Sequence, residues 1–380
     1  MRSAAAVSSD SRQAPPSTRS GAGRIKYIDG LRGLAIAMVI LYHSYSRWPE
    51  SYPYGDKFVG SYLTDTKVVG VQLFFIISGF VILMTLSAAS RFTTFLYRRW
   101  LRLFPAMVVC SAIVLATVDF FPERPGGALA PTDLIPGLSL LGEHVVNFVT
   151  RNAFSVKSLE GSFWSLYVEF RFYLFFGFMY FFIGRRAAIA SLLAAYVLYQ
   201  ISVVTTEVGS SLYVAAAAEF DGKVHLRKLL SFFGFEYYIW FFAGALYFEY
   251  LRSERRWLLA VAAISSVVGA LASSQPLAAD IFICLVFFAA STSSFVRGIL
   301  STPVLQVIGF VSYPLYLIHE NMVVATIVKV GRIAPWMPPV LVPILPIALT
   351  VAIAFVVARW VEPVAKSVVR RSIETAARAI

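Results

Sequence analysis

Apolar residues gather into ten runs along the chain, at approximately 27–46, 69–89, 101–121, 163–184, 187–205, 230–250, 257–275, 277–295, 304–327 and 339–360, separated by polar or charged breaks. Several are marginal, but each approaches the roughly 20 residues that a helix needs to cross a hydrocarbon core about 30 Å thick. The pattern predicts an all-α integral membrane protein, a bundle of about ten transmembrane helices. Some breaks are short, such as Gly184-Arg185-Arg186, whereas 47–68, 122–162 and 206–229 are long. The second of these holds Pro122, Pro125, Gly126, Gly127, Pro131, Pro136 and Gly137. Loops of this length are suited to lidding a cleft. Residues 1–23, rich in Ala, Ser, Pro and Arg, have no apolar stretch and read as a disordered cytoplasmic tail, not a signal peptide. The expected organisation is that tail, one membrane domain over 24–366, and a basic cytoplasmic tail over 367–380.

Composition agrees: 58% of residues are hydrophobic, 14% are charged, and the mean hydropathy is +0.71. The formal net charge of +12 would suit nucleic acid or anionic lipid, so its location decides its meaning. With the N-terminus inside, 21 of the 33 Lys and Arg fall on the inner side in short loops, and the outer loops carry about as many acids as bases. This is the positive-inside bias, and it predicts both termini in the cytoplasm, contact with membrane lipids and no nucleic-acid partner. Cys110 and Cys284 each lie within an apolar run, so neither a disulfide nor a metal site is expected. No inverted repeat of the transporter kind is evident.

Candidate chemistry comes from polar groups inside the runs, which are expensive in lipid and mark functional positions. The first run opens Asp29-Gly-Leu-Arg32 and ends at His43. Eleven residues on a 3.6-residue helix bring Arg32 and His43 to within about 20° of one azimuth and separate them by roughly 16 Å along the axis. In the third run Arg99 and Arg102, three apart, share a face. They serve either as membrane-surface anchors, the reading preferred for Arg98, or as a guanidinium fork for phosphates such as those of coenzyme A. In the fourth run Ser162, Ser165, Glu169 and Tyr173 recur at spacings of three and four. That stripe is either interhelical glue or the lining of a site where Glu169 orients or deprotonates a hydroxyl arriving from outside. In the ninth, Ser312, Tyr316 and His319 share a face and Pro314 predicts a kink or local opening; His319 is open between packing and catalysis. Glu236 and Glu320 are further ionisable residues within runs.

These residues, taken together, resemble the membrane-bound acyltransferase 3 family, which modifies bacterial surface glycans and some small molecules. The resemblance rests on Tyr27-Ile-Asp-Gly-Leu-Arg-Gly-Leu-Ala-Ile36 with His43, on Gly70-Val-Gln-Leu-Phe-Phe-Ile-Ile-Ser-Gly-Phe80, and on Arg99, Arg102 and Pro105. It continues in order through Trp164-Ser-Leu-Tyr-Val-Glu169 with Phe172-Tyr173, Ser312-Tyr-Pro-Leu-Tyr-Leu-Ile-His319 and Val361-Glu-Pro363, covering roughly 24–366. The sequence departs from the family pattern at Gln72, where Asp is common, and at Phe170, where a second Glu often follows Glu169.

The resemblance implies a catalytic His43 with Arg32 as its signature partner, and a donor site at Arg32, Arg99 and Arg102 for acetyl-CoA or another acyl-CoA. Some members carry a C-terminal SGNH hydrolase-like domain; here the sequence ends soon after the last run without a Gly-Asp-Ser motif, so transfer is expected within the membrane domain or through a partner. The expected function is an O-acyltransferase, most simply an O-acetyltransferase, of a bacterial cytoplasmic (inner) membrane. It would act on a hydroxyl of a surface polysaccharide, lipopolysaccharide or lipid-linked sugar, using no metal. His43 and Glu169 are its candidate acid-base groups, with His43 open between base and acyl carrier. Ser165, Glu169, Tyr173 and His319 are the candidates for meeting the glycan or glycolipid acceptor. A transporter or flippase is the rival reading, in which the same ionisable residues form a proton relay or substrate site.

Overall fold

A computed structural model describes residues 25–151, 153, 155–212 and 217–378; the tail expected over 1–23 lies outside the described residues. No strand occurs among the described residues. Fifteen α-helices follow one another: α1 (Lys26–Tyr45), α2 (Val69–Ala88), α3 (Phe92–Ala116), α4 (Leu134–Ser139), α5 (Glu143–Val149), α6 (Trp164–Phe178), α7 (Arg185–Leu212), α8 (Ala217–Phe232), α9 (Tyr238–Ser253), α10 (Arg256–Ala272), α11 (Leu277–Thr292), α12 (Ser294–Leu300), α13 (Pro303–Ile333), α14 (Ile344–Val356) and α15 (Glu362–Arg378).

All ten apolar runs coil into helix, but not all are long and apolar enough to cross a membrane. By length and composition six qualify among the described residues, or eight if each of two bent pairs is one span. The pairs are bent by 62° between 225–232 and 235–253, and by 113° between α11 and α12. The two runs that fall short do so for different reasons: α1 carries Lys26, Asp29 and Arg32 in its first two turns, and α10 has only 17 residues. Of the about ten spans expected, six to eight meet that measure among the described residues. The chain is a multi-pass helical membrane protein. The residues expected as a basic tail from 367 continue, as far as Arg378, the amphipathic helix α15.

At the centre, α1 lies along α13, with α2 on its other side; α2 packs on α9, α9 on α10, and α3 on α13 and α15. Glycine makes the first contact possible. A Cβ at Gly33 would meet the Leu305 carbonyl oxygen at 2.5 Å, and one at Gly309 would collide with the Asp29 carbonyl. Without side chains at those points the two backbones touch, as small residues allow between helices in lipid. The closeness matters because α1 carries His43 and α13 carries His319. Aromatic packing fixes the neighbouring layer, with the ring of Phe172 stacked on that of Phe241 at 3.9 Å and the ring of Phe75 tilted against Phe241 at 4.7 Å. Pro314 does not break α13, which runs for 31 residues as one helix.

The long 122–162 connection is built, not loose. Asp133 accepts hydrogen bonds from the amides of Ala130 (2.9 Å) and Lys157 (3.0 Å), and the Asn147 side chain brackets Val156 through both its N–H and its C=O. It is tied to α13 where Asn321 Oδ1 accepts from the Gly126 amide at 3.0 Å. The end of the bundle bearing this loop and 47–68 is called the loop end below, and the end bearing Arg32, Arg99 and Arg102 the basic end.

Candidate active site

Two cavities meet inside the bundle. The one toward the basic end, a partly open cleft of about 690 Å³ including the solvent at its mouth, is lined by Arg32, Arg99, Arg102, Ser165, Glu169 and Tyr173, against an apolar wall from α2. Arg32 and Arg102 also line a second hollow, of about 1080 Å³, with Asp29, Glu362 and Lys366. The cavity toward the loop end, of about 1000 Å³, is lined by Tyr42, His43, Arg47, Lys67, Glu320 and Asn321 among others. Tyr316 lines both principal cavities.

At the basic end three guanidiniums surround one space. Arg32 lies 3.4 Å from Asp29 Oδ1, Arg99 donates to Thr85 Oγ1 at 2.9 Å, and Arg102 is exposed. The Nε of Arg99 is buried with no partner among the described residues, a donor whose desolvation an anionic ligand would offset. Glu169, the carboxylate in this group, accepts from the hydroxyls of Ser78 and Tyr173, the latter at 2.5 Å. Its Oε1 is thereby occupied, so it organises the cleft wall. Helices α1 and α3 meet chiefly through α13, and their arginines converge across the cleft.

Two histidines meet at the loop end. His43 Nδ1 lies 2.9 Å from the Val39 carbonyl, an atom that only accepts, so Nδ1 carries the proton and Nε2 keeps a bare lone pair. Glu320 Oε1 stands 3.9 Å from that Nε2, with the two side chains 13% and 6% exposed. His319 repeats the arrangement. Its Nδ1 donates to the Tyr316 carbonyl at 2.9 Å, and its buried Nε2 has no partner among the described residues. The two imidazoles stand edge to face, 4.7 Å between centroids. Glu320 is itself held by the Ser162 amide at 2.5 Å. Behind it, Glu160 accepts from the Asn321 amide (3.0 Å) and side chain (2.7 Å). Burial, reinforced by the Glu320 charge, pushes the Glu160 carboxyl up to about 8, so it is largely protonated at neutral pH.

The wall between the cavities is polar. Tyr316 donates its hydroxyl proton to the Ser162 carbonyl at 2.8 Å, so at the 2.7 Å contact with Ser165 the serine is the donor.

Sequence spacing had grouped Ser165, Glu169, Tyr173 and His319 as one set, and the structure divides them. Ser162 lines the loop-end cavity and Ser165 the wall, while Glu169 and Tyr173 stand with the arginines; His319 packs against His43. The reason is axial rise: Ser162 to Tyr173 is eleven residues, roughly 16 Å, so one stripe passes through both cavities. Glu169, expected to face a hydroxyl from the outer side, lines the basic-end cavity instead. Arg98, read as an anchor, is exposed, whereas Arg99 and Arg102 line the cleft. Glu320 stands out in the sequence as an ionisable residue within a run, but shared-face spacing gives it no role, because neighbours in a helix point about 100° apart and Glu320 falls outside the Ser312, Tyr316 and His319 face.

Residues 25–359 match the family described as Acyltransferase domain. The chain is 29% identical over 168 residues to the peptidoglycan O-acetyltransferase OatA of Listeria monocytogenes, a match covering 41% of this chain and 24% of that protein. It is 31% identical over 160 residues to O-acetyltransferase OatA of Staphylococcus aureus, covering 39% of this chain and 23% of the relative. It is 27% identical over 164 residues to Acyltransferase MdmB of Streptomyces mycarofaciens, covering 41% and 39%. The matches thus span less than two fifths of the length of these relatives. No solved structure matches.

Proposed function

The chain belongs to this acyltransferase family, and on that premise we propose that it is a membrane O-acyltransferase, in the simplest case an O-acetyltransferase. It draws on acyl-CoA at the basic end and acylates a hydroxyl of a surface polysaccharide, lipopolysaccharide or lipid-linked sugar at the loop end. The basic end then faces the cytoplasm, as the positive-inside bias requires, and both termini lie there. A bacterial cytoplasmic membrane is consistent with the Listeria relative, whose name gives peptidoglycan O-acetylation.

The observation that carries the reading is the bare Nε2 of His43 beside Glu320, about one acyl-pantetheine length from the arginine cleft along α1. Arg32, Arg99 and Arg102 bind the donor's phosphates, Arg99 by a planar fork suited to them. His43 Nε2 takes the proton of the acceptor hydroxyl as its oxygen bonds to the thioester carbonyl carbon. The carbon–sulfur bond then breaks and the thiolate leaves, taking the proton from Nε2. Glu320 stabilises the imidazolium that exists in between, which favours His43 as base over His43 as acyl carrier.

The test is acyl transfer by the purified protein in proteoliposomes, alongside mass spectrometry of envelope glycans. His43→Ala, expressed at normal level, loses transfer by roughly 10²–10⁴-fold, and the glycan loses one acyl mass. Retained turnover refutes the assignment, and substrate movement without a change in covalent mass supports a transporter instead.

A further inference from the structure

A further cavity opens beside the loop-end one. It is an open groove of about 1310 Å³, solvent at its mouth included, between α1, α11 and the 60–67 segment, and its wall includes Ala37, Leu41, Phe282, Tyr62 and Leu63. Ala37 and Leu41 are half-buried on the side of α1 turned toward α11 and Phe282 is exposed on α11, while Tyr62 and Leu63 are 86% and 79% exposed in the 60–67 segment. Large apolar groups standing free at this level suit the bilayer interface. The groove does not end blindly. Lys67 lines both the groove and the cavity that holds His43, and the adjoining residues Gln275 and Pro276 line one each.

The junction is cationic. Lys67 makes no ion pair among the described residues, and Arg47, stacked over Trp48 at 4.3 Å, lines the same cavity. The acid nearest in sequence, Asp65, is engaged by the Gly60 amide at 2.8 Å. Lys67 also has a φ of 47°, in the left-handed region that a lysine enters at a cost. Strain of that kind persists where the surrounding structure holds a residue in a required place. The sequence of environments from the bilayer inward is therefore apolar slot, ammonium, then the imidazole with its free lone pair.

We infer that the acceptor is a sugar joined through phosphate to a long apolar chain, with the chain in the α1–α11 groove, the phosphate at Lys67 and the sugar hydroxyl reaching His43. This rests on the acyltransferase reading above and selects among its acceptors. A free polysaccharide has no use for the apolar slot, and a bilayer phospholipid would fill the slot without placing a sugar hydroxyl.

The test separates binding from chemistry. The full-length protein in nanodiscs is irradiated with decaprenyl phosphate glucose carrying a diazirine in its prenyl chain, and labelled peptides are mapped by mass spectrometry. Labels are expected in α1 and in 276–282, competed by unlabelled decaprenyl phosphate glucose and not by phosphatidylglycerol at the same mole fraction. Ala37→Trp and Ala279→Trp, which fill the groove, and Lys67→Ala each lower that labelling about tenfold, equivalent to 1.4 kcal/mol. Ala352→Trp, in the apolar groove between α3 and α14, leaves it unchanged. Equal competition by phosphatidylglycerol, or labels outside the groove, overturns the inference by making the slot a resident-lipid site. Labelling that meets these expectations in a protein that transfers no acyl group would sustain the glycolipid site while refuting the acyltransferase reading.

Discussion

Replacing Glu320 by Gln isolates one charge. The amide keeps the side chain's size and can still accept from the Ser162 amide, so the local backbone contact survives. What is lost is the negative charge 3.9 Å from His43 Nε2. At an effective dielectric constant of about 20, two unit charges at that separation attract by about 4 kcal/mol, and the attraction exists only while His43 carries the abstracted proton. A barrier raised by that full amount slows the reaction about a thousandfold. The amide dipole recovers part of it, so the expected fall in kcat lies between about thirtyfold and a thousandfold, with little change in donor KM. The assay is steady-state acyl transfer in proteoliposomes, with donor binding measured separately on the same preparation. Glu320→Asp, which retains charge on a shorter stem, is expected to recover part of the loss. A Glu320→Gln protein within threefold of wild type, properly folded, would refute the argument that the carboxylate stabilises an imidazolium.

Three other perturbations follow from the same geometry. Arg99→Lys keeps charge and loses the planar fork, so donor KM is expected to rise about tenfold with kcat nearly unchanged; an unaltered KM would count against the phosphate role. One alanine inserted after Leu34 turns His43 about 100° relative to Arg32, and should abolish transfer while leaving donor binding intact; activity retained in a folded insertion mutant would remove the need for register. Glu160 has its carboxyl raised in the folded protein, so the folded state holds more protons than the unfolded one between the ordinary carboxylate range and about 8. Its contribution is present at low pH and is lost as pH rises through that window. Thermal midpoints should therefore fall more steeply from about pH 5 to pH 8.5 in wild type than in Glu160→Gln, and parallel slopes would disprove it.

Period and rise made much of this site legible before any coordinates. Arg32 and His43 on one face of α1, and Arg99 with Arg102 on one face of α3, follow from spacing alone, and the structure sets them in two neighbouring cavities. Depth was harder to read. A stripe of polar residues identifies a face but not which cavity each turn reaches: Glu169, expected to meet a hydroxyl from outside, lines the cavity that holds the arginines. The pairing of His43 with His319 and Glu320 depends on the α1–α13 crossing at Gly33 and Gly309, a contact 276 residues apart that no local pattern encodes. Run counting says less where charge or length departs from the average: α1 opens with Lys26, Asp29 and Arg32 and packs along α13, and α10 has only 17 residues, so neither meets the length and composition of a span by itself.

The wall at Tyr316 has a consequence for the energy stored across the membrane. A row of hydroxyls joining two water-accessible chambers is ordinarily a proton wire, able to drain the gradient that the host membrane maintains. Here each hydroxyl hands its hydrogen forward, Ser165 to Tyr316 and Tyr316 to the carbonyl of Ser162. A peptide carbonyl has no proton to pass on. The relay stops at that carbonyl, so these two hydroxyls, arranged in this way, pass no proton from one cavity to the other.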